Sequence, residues 1–247
     1  MAGLTGRGRA LARLLGVQAT WNYERMQGIG IGHATDPLLR GQFRHDPERY
    51  RAALARAAGF FNANPYLAAA ALGAEVRAEV DGVPPERVER LRTVLSGPLG
   101  ALGDRLFWSG LVPALASAAL ALVLLGAGPW PVLGFVVVHN AIRLWLAPWL
   151  LTLGWNHGLS VGAALGRSAL PRISVLAEEA AAFAGALAIP LVVRRFLTGA
   201  DRDAIIGVVA LVVAALLFRR KAGSGVSPIG LTLVVGAGVL LWHWGLG

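Results

Sequence analysis

The chain has 247 residues, 55% of them hydrophobic and only 15% charged, with a mean hydropathy of +0.58, a balance that excludes an ordinary water-soluble enzyme and points to an integral membrane protein. It contains no cysteine, which removes disulfides, thiol catalysis and Cys-ligated zinc. The net charge of +9 comes from 22 arginines and one lysine against 14 acids, and in so apolar a chain it fits an anionic membrane face better than nucleic acid.

The charges divide the chain. Residues 1–105 hold 14 basic and 10 acidic side chains, whereas residues 106–247 hold 9 and 4. This pattern predicts an interfacial or cytoplasmic helical region over 1–95 and a membrane-embedded region over 96–247. The N-terminal "MAGLTGRGRALARLLG" places Leu11, Leu14 and Leu15 at helical spacing among arginines, without the long apolar core and cleavage site of a secretory signal. It reads as an amphipathic helix lying on the bilayer surface.

Next comes "WNYERMQGIG", in which Asn22, Glu24, Arg25 and Gln27 crowd within about one and a half turns. Read as a helix, the stretch puts Asn22 and Arg25 on one face and Glu24 and Gly28 on another. These groups suit either the hydroxyls of a sugar or a buried polar network that fixes helix packing. The following "GIGIGH" lacks a preceding strand and a Lys-Ser or Lys-Thr pair, so it is no phosphate loop, and its glycines instead allow a bend or a close helix contact.

In "HDPERYRAALARAAGFFNANP", Asp46 is the expected N-cap and Pro47 the first helical residue. Tyr50, Leu54, Ala57 and Phe61 then share a face, and Asn62 to Pro65 are expected to end the helix. The groups exposed there, with Asn62 and Asn64, either line a site or serve as ordinary caps. A further helix runs through Tyr66, Leu72 and Val76 to the "DGVPP" turn. Another, marked by Val88, Leu91 and Leu95, is expected to stop at Ser96 to Pro98, leaving Ser96 to Gly103 as a tight broken loop. Asp104 then sits where backbone groups are exposed, or else pairs with Arg105 or caps a helix.

Leu106 to Gly126 is uncharged and long enough to cross the hydrocarbon core. Trp130 to Leu153 is also long enough but encloses His139, Asn140 and Arg143. The bilayer penalises such groups, so Asn140 and Arg143 are expected to face protein, a cavity or a substrate path. Ala177 to Val193 begins with Glu178 and Glu179, Ala204 to Phe218 is short, and Val226 to Leu246 is a fifth run. Arginine clusters on both sides of Ala204 to Phe218 leave it either re-entrant or a short span. The fold expected is an all-α membrane protein, an amphipathic or cytoplasmic helical N-terminal half followed by four to five transmembrane or re-entrant helices. The five histidines form no H-x-x-x-H or H-E-x-x-H pair, so no metal site or cofactor is expected, and no G-x-S-x-G elbow marks a nucleophile.

"WNYERMQGIG" at Trp21 to Gly30, "FFNANPY" at Phe60 to Tyr66, "GPLGALGDRLFW" at Gly97 to Trp108 and "HNAIRLWLAPWLLTLGWNHG" at His139 to Gly158 occur in order. Together they resemble the IID membrane component of the mannose-fructose-sorbose family of the bacterial sugar phosphotransferase system (PTS), over about Val17 to Gly158. The resemblance implies a multi-pass protein of the bacterial cytoplasmic membrane, a non-catalytic translocation subunit with no phosphorylated residue. It implies a hetero-oligomer with a IIC membrane subunit, soluble IIA and IIB phosphocarriers and a hexose substrate. The residues of the translocation path are then expected among Asn22, Glu24, Arg25, Gln27, Asn62, Asn64, Asp104, Asn140 and Arg143. Arg105 after Gly-Asp and the unfamiliar sequence beyond Leu159 depart from the family pattern. They keep open a diverged regulatory or scaffolding IID-like protein that moves no sugar. A membrane enzyme acting on lipids would need a nucleophile or metal set that the sequence lacks.

Overall fold

The computed structural model describes residues 4–199, and within these the chain is helical, with isolated β-bridges and no strand. The runs expected to cross or re-enter the membrane at Ala204 to Phe218 and Val226 to Leu246 lie outside the described residues. By its contacts the chain divides after Ala188. The first unit contains α1 (Arg7–Leu14), α2 (Gly28–Gln42), α3 (Pro47–Ala57), α4 (Ala68–Val80), α5 (Pro85–Gly103), α6 (Val112–Leu124), α7 (Trp130–His157), α8 (Val161–Arg167) and most of α9 (Leu170–Gly199). The described part of the second unit, residues 189–199, is helical.

Local chemistry accounts for several boundaries. Asp46 accepts the Arg49 N–H at 3.0 Å and Pro47 opens α3, as the sequence predicts. The helix stops at Ala57, before Asn62, because Gly59 starts the crossing toward α4. Gly82, in the left-handed region at φ 70°, supports the turn before Pro85.

The expected break at Ser96 to Pro98 is absent. The helix α5 runs through Pro98 to Gly103, widens into a π-helix over Asp104–Leu111 and continues as α6. Proline costs a helix one hydrogen bond and a local clash, which an otherwise well-anchored helix can absorb. Here Leu95 and Leu99 are buried on both sides of it. The irregularity that the Gly- and Pro-rich sequence signals is a wide turn beginning at Asp104 rather than a loop.

Three stretches among the described residues are long and apolar enough to cross a membrane: Pro85–Leu124, Trp130–Arg167 and Leu170–Arg195. Their flanks carry exposed leucines, valines and tryptophans, such as Val137, Leu144 and Trp145, as lipid-facing surfaces do.

The core centres on α4, where Leu72, Val76 and the capping Leu67 just before it are fully buried. Its tightest crossing is with α7. A side chain at Gly73 would strike the Leu151 carbonyl, and one at Gly154 would strike the Ala70 carbonyl, so the two backbones touch only because both residues are glycine. The glycines of "GIGIGH" work similarly, Gly28 and Gly32 against the end of α3 and Gly30 against Val17. On α1, Ala10 and Leu14 are buried against the protein, while Leu15 stays exposed.

The acids of α4 find arginines from its neighbours. Arg56 of α3 grips Glu79 through two 2.7 Å hydrogen bonds, and Arg92 of α5 pairs with fully buried Glu75. Burial pushes the Glu75 carboxyl above its ordinary value, against the opposing pull of Arg92. Arg92 also donates to the Gly59 carbonyl at 3.0 Å and lies 5.3 Å from the Phe61 ring.

Candidate functional site

The segment from Phe61 to Tyr66, between α3 and α4, is where the four sequence motifs meet. Residues Asn22 to Met26 form a tight loop, not the helix turn that the spacing predicts. Its ends exchange backbone hydrogen bonds of 2.8 and 3.3 Å, and Asn22 Oδ1 accepts the N–H groups of Glu24 and Arg25. A short polar side chain that satisfies backbone donors locally competes with helix formation. The loop closes with Met26 at φ 53°, an uncommon conformation for a residue with a Cβ.

This loop grips the next motif. Gln27 N–H donates to the Phe61 carbonyl at 2.9 Å, Phe61 N–H to the Arg25 carbonyl at 3.3 Å, and the Gln27 side-chain amide to the Ala63 carbonyl at 2.7 Å. Gln27 is buried, and through these bonds it holds the Phe61 to Tyr66 segment in place, while its Oε1 has no hydrogen-bond partner among the described residues. Glu24 and Arg25 are exposed and 3.6 Å apart, and Asn62 is exposed.

Asn64 is buried. Its Oδ1 accepts the Tyr66 N–H at 3.1 Å, and its Nδ2 donates to Asp104 Oδ1 at 2.9 Å, joining the second motif to the third. Gly103 is required beside it, since a Cβ there would overlap the Asn64 side chain. Arg105 turns the other way and makes a two-point contact with Glu178 of α9, at 3.1 and 2.6 Å, so Asp104 and Arg105 do not pair with each other. Successive residues of the π-helix thus serve different partners, with Asp104 exposed beside Asn64.

Tyr66 is the hub. Its ring centroid lies 4.4 Å from Phe107, 5.6 Å from Trp108 and 5.7 Å from His139. The Arg143 guanidinium sits 4.5 Å from the same centroid, a cation–π geometry. Arg143 also donates to Asn140 Oδ1 at 3.3 Å, and the Asn140 amide donates to the Val136 carbonyl at 2.8 Å. The intramembrane arginine therefore faces protein, as its cost in lipid requires. His139 Nδ1 and Arg143 Nε are buried without a hydrogen-bond partner among the described residues.

The structure thus joins Asn64 to Asp104 directly and links both to Asn140 and Arg143 through Tyr66. It places Gln27 as a support and leaves Asn22, Glu24, Arg25 and Asn62 outside the aromatic cluster. Tyr66, Trp108 and His139 are the additions that side-chain spacing alone did not select, though each lies within a quoted motif. The arrangement offers a carboxylate, two amides, a guanidinium and exposed aromatic surface. Among the described residues no group of three or more His, Asp or Glu is placed to hold a metal ion.

Comparison with known proteins points to one family. The chain is 29% identical over 191 residues to the mannose-specific EIID component of the PTS from Escherichia coli K12, covering 72% of this chain and 67% of the relative. It is 28% identical over 186 residues to the sorbose-specific EIID component of Klebsiella pneumoniae, covering 73% of this chain and 66% of the relative. It is also similar to a chain in the cryoEM structure of the mannose transporter ManYZ in complex with microcin E492 (MceA), with TM-score 0.56, 27% identity, and coverage of 72% and 67%. A second solved chain, described as a membrane protein, shares the fold at TM-score 0.70 and 21% identity, with 98% of both chains covered. Residues 7–197 match the family described as "PTS system mannose/fructose/sorbose family IID component". With that match over most of its length, its motifs joined around one tyrosine and its apolar spans, this membrane protein belongs to the mannose/fructose/sorbose-family IID components of the PTS.

Proposed function

We propose that this chain, together with a IIC membrane subunit, moves a hexose across the bacterial cytoplasmic membrane while soluble IIA and IIB proteins phosphorylate it. The observation that carries the reading is the convergence of Asn64, Asp104, Asn140 and Arg143 around Tyr66. Carboxylate, amide and guanidinium groups match adjacent sugar hydroxyls, and aromatic faces take the apolar face of a sugar ring. Asp104 and Trp108 are exposed, so they can meet a substrate. The hexose class follows from relatives named for mannose, sorbose and fructose.

In this reading residues 1–95 face the cytoplasm or the interface and residues 96–247 carry the membrane part. The chain provides the path, and the phosphoryl group passes through its partners. Transport is tested by co-expressing the chain with IIC, IIA and IIB and measuring phosphorylation-dependent uptake over a panel of labelled hexoses. Uptake of at least one sugar should vanish when this chain is omitted. An assembled complex that admits no hexose would overturn the transport reading.

A further inference from the structure

A second polar feature lies where α1 meets α2. A cavity of about 830 Å³ is lined by Arg7, Arg9, Arg13, Arg40 and Arg44, with Asp36 as its one carboxylate. That carboxylate is already engaged. Its Oδ1 accepts from Arg40 at 2.7 Å and from the Tyr50 hydroxyl at 2.6 Å, and its Oδ2 accepts from Arg13 at 2.8 Å. Arg9 and Arg44 are exposed and form no ion pair among the described residues. A concave site with five guanidinium groups and one neutralising carboxylate is built for an anion, and guanidinium forks match phosphate oxygens.

The position of the cavity identifies the source of that anion. Arg7 donates to the Pro148 carbonyl of α7 at 3.0 Å. Pro148 is flanked by Trp145 and Trp149, 70% and 36% exposed, on a helix long and apolar enough to span the membrane. Exposed tryptophans on such a helix mark the headgroup level. Leu15, just beyond α1, is 55% exposed beside the same arginine-rich helix. We infer that this cavity binds the phosphate headgroup of an anionic phospholipid and anchors the N-terminal helices to the bilayer at that depth. The site shares no residue with the proposed sugar path and stands whether or not the chain moves sugar.

The test uses the full chain in detergent, titrated in parallel with phosphatidylglycerol, phosphatidylcholine and inorganic phosphate, and followed by native mass spectrometry and thermal unfolding. Phosphatidylglycerol should be retained in preference to phosphatidylcholine and should raise the melting temperature, whereas inorganic phosphate alone should not. The double variant R9Q/R44Q should lose about tenfold of that preference, since each arginine near an anionic surface contributes independently. The R9K/R44K pair keeps the charge but loses the fork, so its preference should fall between wild type and R9Q/R44Q, and it reports on folding of the region. Equal retention of the two lipids, an unchanged preference in R9Q/R44Q, or stabilisation by inorganic phosphate matching that by phosphatidylglycerol would each overturn the proposal.

Discussion

Asn64 is held from one side and holds on the other: its carbonyl oxygen receives the Tyr66 N–H at 3.1 Å, which leaves its amide to donate to Asp104 at 2.9 Å. The orientation of the amide is therefore set, and the Asp104 carboxylate is the acceptor that completes it. An Asp104→Asn variant can preserve the hydrogen bond through its own carbonyl while removing the charge. Hydrogen bonds to charged groups contribute about 1.5–3 kcal/mol, so hexose uptake should fall about tenfold or more. Co-purification with IIC should be unchanged. Wild-type uptake by Asp104→Asn would remove the carboxylate from the path.

The crossing of α4 and α7 makes a sharper stability prediction. Gly154→Val drives a branched side chain against the Ala70 carbonyl and should destabilise the chain by about 1–3 kcal/mol or more. Gly134, on the same helix, has open space where a Cβ would lie, so Gly134→Ala should be neutral or slightly stabilising. Thermal unfolding in detergent compares the two, and equal melting temperatures would refute the backbone contact.

Arg92→Ala should be among the most damaging single changes outside the glycines. It leaves Glu75 buried and unpaired, which costs about 3–5 kcal/mol. Replacing both residues by leucine removes the pair and its desolvation together and should recover most of the loss. A double-mutant cycle on melting temperature measures the difference. Additive effects of the two single changes would show that they do not act as a pair.

How much of this was legible in the sequence depends on the range of the interaction. The start of α3 was readable because Asp46, Pro47 and Arg49 are neighbours, and the long apolar runs were readable because length and hydropathy are local. The four motifs were visible as strings, yet their meeting at Tyr66 was not, since Asn64 and Asp104 lie 40 residues apart in the chain. Separations of 17 and 23 residues likewise hid the partners of Glu75 and Glu79, and 23 and 14 residues hid Arg13 and Tyr50 from Asp36, whose third partner, Arg40, is four residues on. Two local readings also failed in instructive ways. Asn22 spends its side chain on backbone donors and so ends a helix before it forms, and Pro98 is carried through a helix that buried leucines hold on either side.

Asp36 makes stability depend on acidity. Burial pulls its carboxyl upward, but hydrogen bonds from Tyr50, Arg13 and Arg40 outweigh that and hold it below its ordinary value of 3.8. A carboxylate depressed in the folded state contributes stability that is present above its unfolded value and is lost as pH falls through the folded one. The packing of α1 and α3 on α2 should therefore loosen below about pH 3.8, with less change at those pH values in Asp36→Asn. Melting temperature against pH for the two proteins checks this, and identical profiles would exclude Asp36 as a source.

The glycine crossing has a mechanical consequence for the site. Backbone pressed on backbone leaves no side chains to re-pack, so α4 and α7 behave as one welded girder, carrying the start of α4 with Tyr66 alongside His139, Asn140 and Arg143. Asp104 rides on the widened turn after α5, which is tied to the same girder by the Arg92–Glu75 pair and the Phe107–Tyr66 ring contact as well as by its own hydrogen bond to Asn64. The carboxylate of Asp104 is thereby kept at a fixed spacing from the groups around Tyr66, so a change at either glycine should disturb that spacing from a distance.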